Sequence, residues 1–207
     1  FPGALLSHPD SDYLWASSDD GQLTRIDPVA RTSEITPTVA NPFAPLVTAD
    51  WVWVASTTRP TMVQVAQDDL SRETVQIPRN IAQPIVLGDY VWVKPNSETY
   101  IVRFHIETRQ RQEIPLDTYP MQMIPMTDSI WVQTETMLYR INGFDGRVDR
   151  QIDIANLGSL NAIQANGDQL WLVSAEDKRL YRIPEASTEI AQTYDLPRAP
   201  DHLYHTP

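Results

Sequence analysis

The sequence predicts an all-β protein built from five copies of one four-stranded unit, and three observations carry that prediction. Trp15, Trp53, Trp92, Trp131 and Trp171 each stand at the centre of a short apolar ladder, 38, 39, 39 and 40 residues apart. An Asp precedes each by three positions: Asp12, Asp50, Asp89, Asp128 and Asp168. Finally, the apolar runs are short and bounded by Gly, Pro, Asp or Ser, with no sustained 3.6-residue period to suggest helices. Four short strands in about 40 residues, repeated along the chain, are the signature of a β-propeller blade. The expected fold is a single propeller domain over residues 1–207, with about 39 residues per repeat.

Each element follows in order. The first strand of a unit is a short apolar run after a Pro-containing loop, as in "PLVT", "PIVL", "MIPM" and "AIQA", with "ALLS" opening the chain. The Asp then marks a hairpin, since its carboxylate bonds backbone amides two positions on. The Trp strand follows. Its Val52 and Val54 on one face and Trp51 and Trp53 on the other require a sheet covered on both sides. A polar turn such as "SSDDG" or "SAEDK" leads to a third strand ending in a recurring pair: Arg25-Ile26, Arg103-Phe104, Arg140-Ile141 and Arg182-Ile183, with Gln64-Val65 departing in the second copy. The Arg residues are expected to serve as surface partners for the many acidic groups. A second polar turn and a fourth strand ("EIT", "TVQIP", "QEIPL") complete the unit. A blade cannot bury both faces alone, so each leans on its neighbours. The Trp is expected to be the wedge between blades, burying on the order of 150–250 Å².

Five copies are complete, and "DHLYHTP" at the end has the pattern of one further innermost strand. Either five blades close with a spare strand, or the chain is part of a larger ring; the five-blade reading is preferred.

Composition narrows the chemistry. The 42% hydrophobic content supplies a core, and no apolar run is long enough for a membrane-spanning helix. Without cysteine there is no disulfide framework, thiolate nucleophile or Cys-based metal site. A net charge of -11 with no basic cluster opposes binding to a phosphate backbone, so nucleic acid is not an expected partner. Acidic balance and absent Cys lean towards an extracellular or periplasmic setting.

The segments "LWASSDDGQLTRIDPVARTSEI" and "LWLVSAEDKRLYRIPEASTEI" resemble the repeat of YVTN-type, NHL-type and virginiamycin B lyase-like propellers, in which a Leu-Trp-Val strand precedes a polar turn and a strand ending Arg-Ile-Asp-Pro. The resemblance covers essentially the whole chain and implies architecture, since such propellers serve as binding modules, sensor domains, surface-layer components and, in a few cases, enzymes. Only the first copy keeps the full Arg-Ile-Asp-Pro. No catalytic His and Glu set can be aligned, so no catalytic residue carries over.

Three residue sets are candidates for chemistry. The five Asp would lie on one rim, where carboxylates can hold Ca²⁺; ordinary turn chemistry is the preferred account of them. His8, His202 and His205, with Asp201, flank the chain ends and would form a metal or acid–base site if those ends met. The loops entering the inner strands place Ala44, Gln83, Gln122 and Asn161, with Asp201 in the partial copy, at the channel mouth, where amides suit a small polar ligand such as a sugar. No catalytic triad, phosphate loop or metal motif of established spacing appears. The expected function is a non-enzymatic binding or interaction module, exported, serving as a scaffold or a subunit of an extracellular assembly. Its partners would be a protein or further copies met through the termini, and no cofactor is expected. The alternatives are a virginiamycin B lyase-like lyase or hydrolase, and the sensor domain of a larger receptor.

Overall fold

The computed structural model describes residues 2–79, 81–82 and 84–200, with side chains from residue 5 onward except at 44. Among these residues twenty strands form five antiparallel four-stranded sheets, each in sequential order. The first sheet is β1 (Pro2–Leu6), β2 (Leu14–Ser18), β3 (Gln22–Asp27) and β4 (Thr32–Pro37). Next come β5 (Pro42–Val47), β6 (Trp51–Ser56), β7 (Thr61–Ala66) and β8 (Arg72–Gln76). The third holds β9 (Ile85–Leu87), β10 (Tyr90–Val93), β11 (Tyr100–His105) and β12 (Arg111–Pro115). β13 (Gln122–Pro125), β14 (Ser129–Gln133), β15 (Met137–Asn142) and β16 (Val148–Asp153) make the fourth. The fifth comprises β17 (Leu160–Asn166), β18 (Gln169–Ser174), β19 (Arg179–Pro184) and β20 (Gln192–Asp195). These are blades, each led by the strand that precedes the repeated Asp.

The chain divides into two compact units. One comprises residues 1–86 with Val91–Ser97 and Ile106–Gln110; the other comprises Leu87–Tyr90, Glu98–His105 and residues 111–207.

Within each blade, burial falls from the middle strands to the outer one. β6 and β7 are almost wholly buried, and β14 is buried throughout, whereas β8, β12 and β20 are mostly exposed. The apolar content of the second and third strands accounts for this, since both their faces meet neighbouring sheets. In the first unit, Trp15 and Leu23 of blade 1 pack with Val52, Val54, Val63 and Val65 of blade 2. In the second, Trp131 and Leu138 of blade 4 pack with Leu170, Leu172, Tyr181 and Ile183 of blade 5. Trp15, Trp53, Trp92 and Trp131 have no exposed surface. Trp171 is only half-buried and stacks obliquely on Tyr194, ring centroids 6.1 Å apart.

Candidate functional site

The register of β2 on β3 sets Arg25 directly across from Trp15. Gln64 faces Trp53 and Arg140 faces Trp131 in the same way. Each of these residues reaches out of its own blade. The Arg25 guanidinium lies 4.7 Å from the ring centre of Tyr13. It donates to the carbonyls of Gln67 and Asp68, in the turn that joins the third and fourth strands of blade 2, and to Glu34 at 2.5 Å. Arg103 lies 3.8 Å over Tyr90, donates to Gln112 Oε1 at 2.7 Å, and reaches the Gly143 and Phe144 carbonyls of blade 4 at 2.9 Å each. Arg140 binds Asp149 of its own blade, Asp128 at 2.9 Å and Glu185 in the corresponding turn of blade 5 at 3.2 Å. Burial depresses the basicity of Arg103, while Tyr90 and Asp145 act in the opposite sense.

The recurring Arg residues therefore do more than pair with surface acids. They tie each blade to the next, Arg25 and Arg103 through main-chain carbonyls and Arg140 through the Glu185 carboxylate, because a guanidinium carries enough donors to serve several acceptors at once. The copy that lacks the Arg reaches the same target: Gln64 Nε2 donates to the Ile106 carbonyl at 3.0 Å. Its Oε1 accepts from Arg109 at 3.1 Å, and Arg109 pairs with Glu73 at 2.8 Å. At that seam the cation comes from the following turn.

Gln67 does related work at the first seam. Its Oε1 accepts from Trp15 Nε1 at 3.0 Å and Ser11 Oγ at 2.5 Å, and its Nε2 donates to the Thr48 and Ala49 carbonyls at 2.5 and 3.0 Å. A buried amide with all four positions used is rigid. It forms the floor of a cleft of about 440 Å³ whose walls include Asp10, Asp12, Tyr13, Asp50, Trp51, Asp68 and Asp69, with no Lys or Arg in the lining. The carboxylates are exposed and the two aromatics half-buried. Hydrogen bonds from the Ser71 side chain and amide hold Asp69 below the usual carboxylate range. A smaller cleft of about 260 Å³ occupies the corresponding place in the second unit, between Asp89, Tyr90, Asp128 and Phe144.

The Asp residues at Trp minus three are thus placed two by two in clefts, Asp12 with Asp50 and Asp89 with Asp128. Asp168 accepts from the neighbouring Gln169 side chain. Among the described residues no group of three or more His, Cys, Asp or Glu is arranged to hold a metal ion. His8 Nδ1 accepts from the Asp10 amide at 3.2 Å, while His202, His205 and Asp201 lie outside the described residues, as does Gln83. Gln122 pairs with Gln133 across β13 and β14, and Asn161 Oδ1 accepts from the Ala175 amide; no hydrogen bond joins the two. Gln67 and the carbonyl targets escaped the sequence reading. The three residues that occupy the Gln67 place in copies three to five are Ile106, Gly143 and Glu185, which share no side-chain chemistry. No helix among the described residues is long and apolar enough to cross a membrane.

No family model and no curated protein matches this sequence. Solved structures do match in shape. Hsv2 of Kluyveromyces lactis aligns at a TM-score of 0.62 with 10% identity, over 90% of this chain and 61% of that one. Dihydro-heme d1 dehydrogenase NirN, in complex with DHE, aligns at 0.71 with 10% identity, over 93% and 47%. BamB of Moraxella catarrhalis aligns at 0.59 with 12% identity, over 89% and 61%. Five four-stranded sheets and these neighbours identify the fold as a β-propeller. The chain spans less than two thirds of the length of each of these neighbours.

Proposed function

We propose that this chain is a non-enzymatic binding module that takes a cationic partner, such as a Lys- or Arg-rich protein segment, on the Asp-bearing turns of its blades. The observation that carries the reading is the cleft between blades 1 and 2. It offers five exposed carboxylates, Asp10, Asp12, Asp50, Asp68 and Asp69, and the aromatic face of Trp51, with no Lys or Arg in its lining; Tyr13 on the same wall already carries the Arg25 guanidinium, 4.7 Å from its ring centre. Carboxylates attract a basic side chain and an aromatic face stabilises it by a cation–π contact of about 0.5–2 kcal/mol. The net charge of -11 adds long-range steering. An exported setting, extracellular or periplasmic, suits the cysteine-free, acid-rich composition.

The test is titration of a Lys/Arg-rich peptide monitored by Trp fluorescence. Binding should weaken steeply with salt, and by about tenfold in an Asp12→Asn, Asp50→Asn double variant. Equal affinity in the variant would overturn the assignment. A rise of several degrees in Tm with millimolar Ca²⁺, abolished by the same variant, would make the cleft a cation site instead.

A further inference from the structure

Asn-Gly occurs twice in the chain, at Asn142-Gly143 and Asn166-Gly167, and the fold treats the two pairs in opposite ways. Every other Asn precedes a residue with a side chain, which crowds the approach of the next main-chain nitrogen to the Asn carboxamide. In Asn142-Gly143 both groups that would have to meet are tied down. Asn142 Oδ1 accepts from the Phe144 and Asp145 amides at 2.8 and 3.2 Å, and the Gly143 amide donates to the Asp128 carbonyl at 2.8 Å. Gly143 is buried, and a Cβ on it would stand 2.7 Å from Leu87 Cδ2 and 2.9 Å from the Asp128 carbonyl oxygen.

Asn166-Gly167 has none of these restraints. Asn166 ends β17 and pairs with Gln169, so Gly167 and Asp168 alone make the turn into β18. Asn166, Gly167 and Asp168 are all exposed. Neither the Asn166 carboxamide nor the Gly167 amide makes a hydrogen bond among the described residues. Beyond its chain neighbours, no atom lies within 4 Å of where a Cβ would stand on Gly167, whose φ is +60°.

We propose that Asn166 is a site of spontaneous modification, at which water converts the side chain through a cyclic imide to aspartate and isoaspartate. The Gly167 nitrogen, deprotonated by base, attacks Asn166 Cγ. A new C–N bond forms as the Cγ–Nδ2 bond breaks, and the leaving nitrogen takes up a proton and departs as ammonia. Water then opens the imide without any change of oxidation state. Addition at Cγ returns an ordinary main chain ending in aspartate, and addition at the main-chain carbonyl leaves isoaspartate, whose main chain runs through Cβ. Either product sets a second carboxylate beside Asp168, which already accepts from the Gln169 side chain at 2.7 Å. Isoaspartate also inserts a methylene into a two-residue turn, and strand register depends on the length of such a loop. The pairing of β17 with β18 therefore loosens as the chain ages. The site takes no part in the cleft between blades 1 and 2, so the two readings stand or fall separately.

The intact chain is kept at mildly alkaline pH and body temperature in heavy-oxygen water, its peptides are mapped by mass spectrometry, and isoaspartate is counted by enzymatic methylation. Label should enter at Asn166, faster as pH rises, since the Gly167 amide must lose its proton. Asn142 should react more slowly on the order of a hundredfold, the equilibrium penalty of opening its three hydrogen bonds. In urea both pairs should react alike. Asn166→Gln, which would have to close a larger ring, should abolish labelling there at unchanged Tm. Hydrogen exchange in β17 and β18 should quicken in the aged wild type but not in freshly prepared Asn166→Asp, which carries the added charge on an ordinary main chain. Labelling of Asn142 as fast as that of Asn166 in the folded chain, or an Asn166 that reacts in urea and not when folded, would overturn the proposal. Exchange in the aged chain no faster than in Asn166→Asp would overturn its effect on register.

Discussion

Arg103 lies flat over Tyr90, 3.8 Å from its ring centre, and from there its Nη1 bonds two successive carbonyls, Gly143 and Phe144, at 2.9 Å. The aromatic face holds the fork level while the fork reads the neighbouring main chain. Gly146 makes room for it: a Cβ there would stand 2.7 Å from Arg103 Cζ, at a φ of +73° that disfavours other residues. Arg103→Lys keeps the charge but loses the planar fork, and should cost about 1–3 kcal/mol in urea unfolding. Gly146→Ala should be as damaging, whereas Gly167→Ala, with open space around its Cβ, should cost only the backbone strain.

The second copy of the repeat yields a compensation test. Gln64 is fully buried and accepts from Arg109, so Gln64→Arg would place two guanidinium groups together despite restoring the repeat consensus. We expect Gln64→Arg to lower Tm, and Arg109→Gln added to it to recover much of the loss. Additive effects in the double-mutant cycle would show that the two side chains act independently.

Trp wedges differ in enclosure, and the cost of emptying them should follow. Trp131→Ala opens a fully buried site in the cluster shared by blades 4 and 5, and should cost about 3–5 kcal/mol. Trp171→Ala, half-buried beside Tyr194, should cost clearly less by chemical denaturation. Equal losses would mean that enclosure does not govern these sites.

Acid sensitivity should concentrate at Asp117. Partial burial pushes its pKa up, but hydrogen bonds from Tyr139, Thr136, Thr134 and the Thr118 amide outweigh this and leave it lowered from 3.8. Burial, followed by the same carboxylate, raises the Tyr139 phenol. A carboxylate whose folded pKa lies below its unfolded value contributes stability above the unfolded value, and that contribution is lost as pH falls through the folded one. Urea midpoints measured from about pH 5 down to pH 2 should therefore fall less steeply in Asp117→Asn than in wild type. Parallel curves would remove Asp117 from the account.

The architecture was legible because it rests on side-chain periodicity. Trp15, Trp53, Trp92 and Trp131 occupy equivalent places, each needs the same enclosure, and so the spacing reveals the blades. The recurring Arg-Ile pair was visible too, but its partners were not: Arg25, Arg103 and the substitute Gln64 bind carbonyls, which every residue possesses, and Gln67, Gly143 and Ile106 have nothing else in common. The acidic cleft was half visible. Asp12 and Asp50 stood out by their register, whereas Asp10, Asp68 and Asp69 come from irregular turns whose approach depends on Gln67, a residue that no other copy repeats.

The clamps also set a schedule for synthesis. Each donor finds its acceptor 40 to 45 residues further along the chain: Arg25 to Gln67, Gln64 to Ile106, Arg103 to Gly143 and Arg140 to Glu185. A blade can form its hairpins as soon as it emerges, but it is fastened only after the third strand and turn of its successor have appeared. At about 5–20 residues per second that delay is a few seconds per blade. During this interval the newest Trp strand is the exposed apolar surface a chaperone would meet.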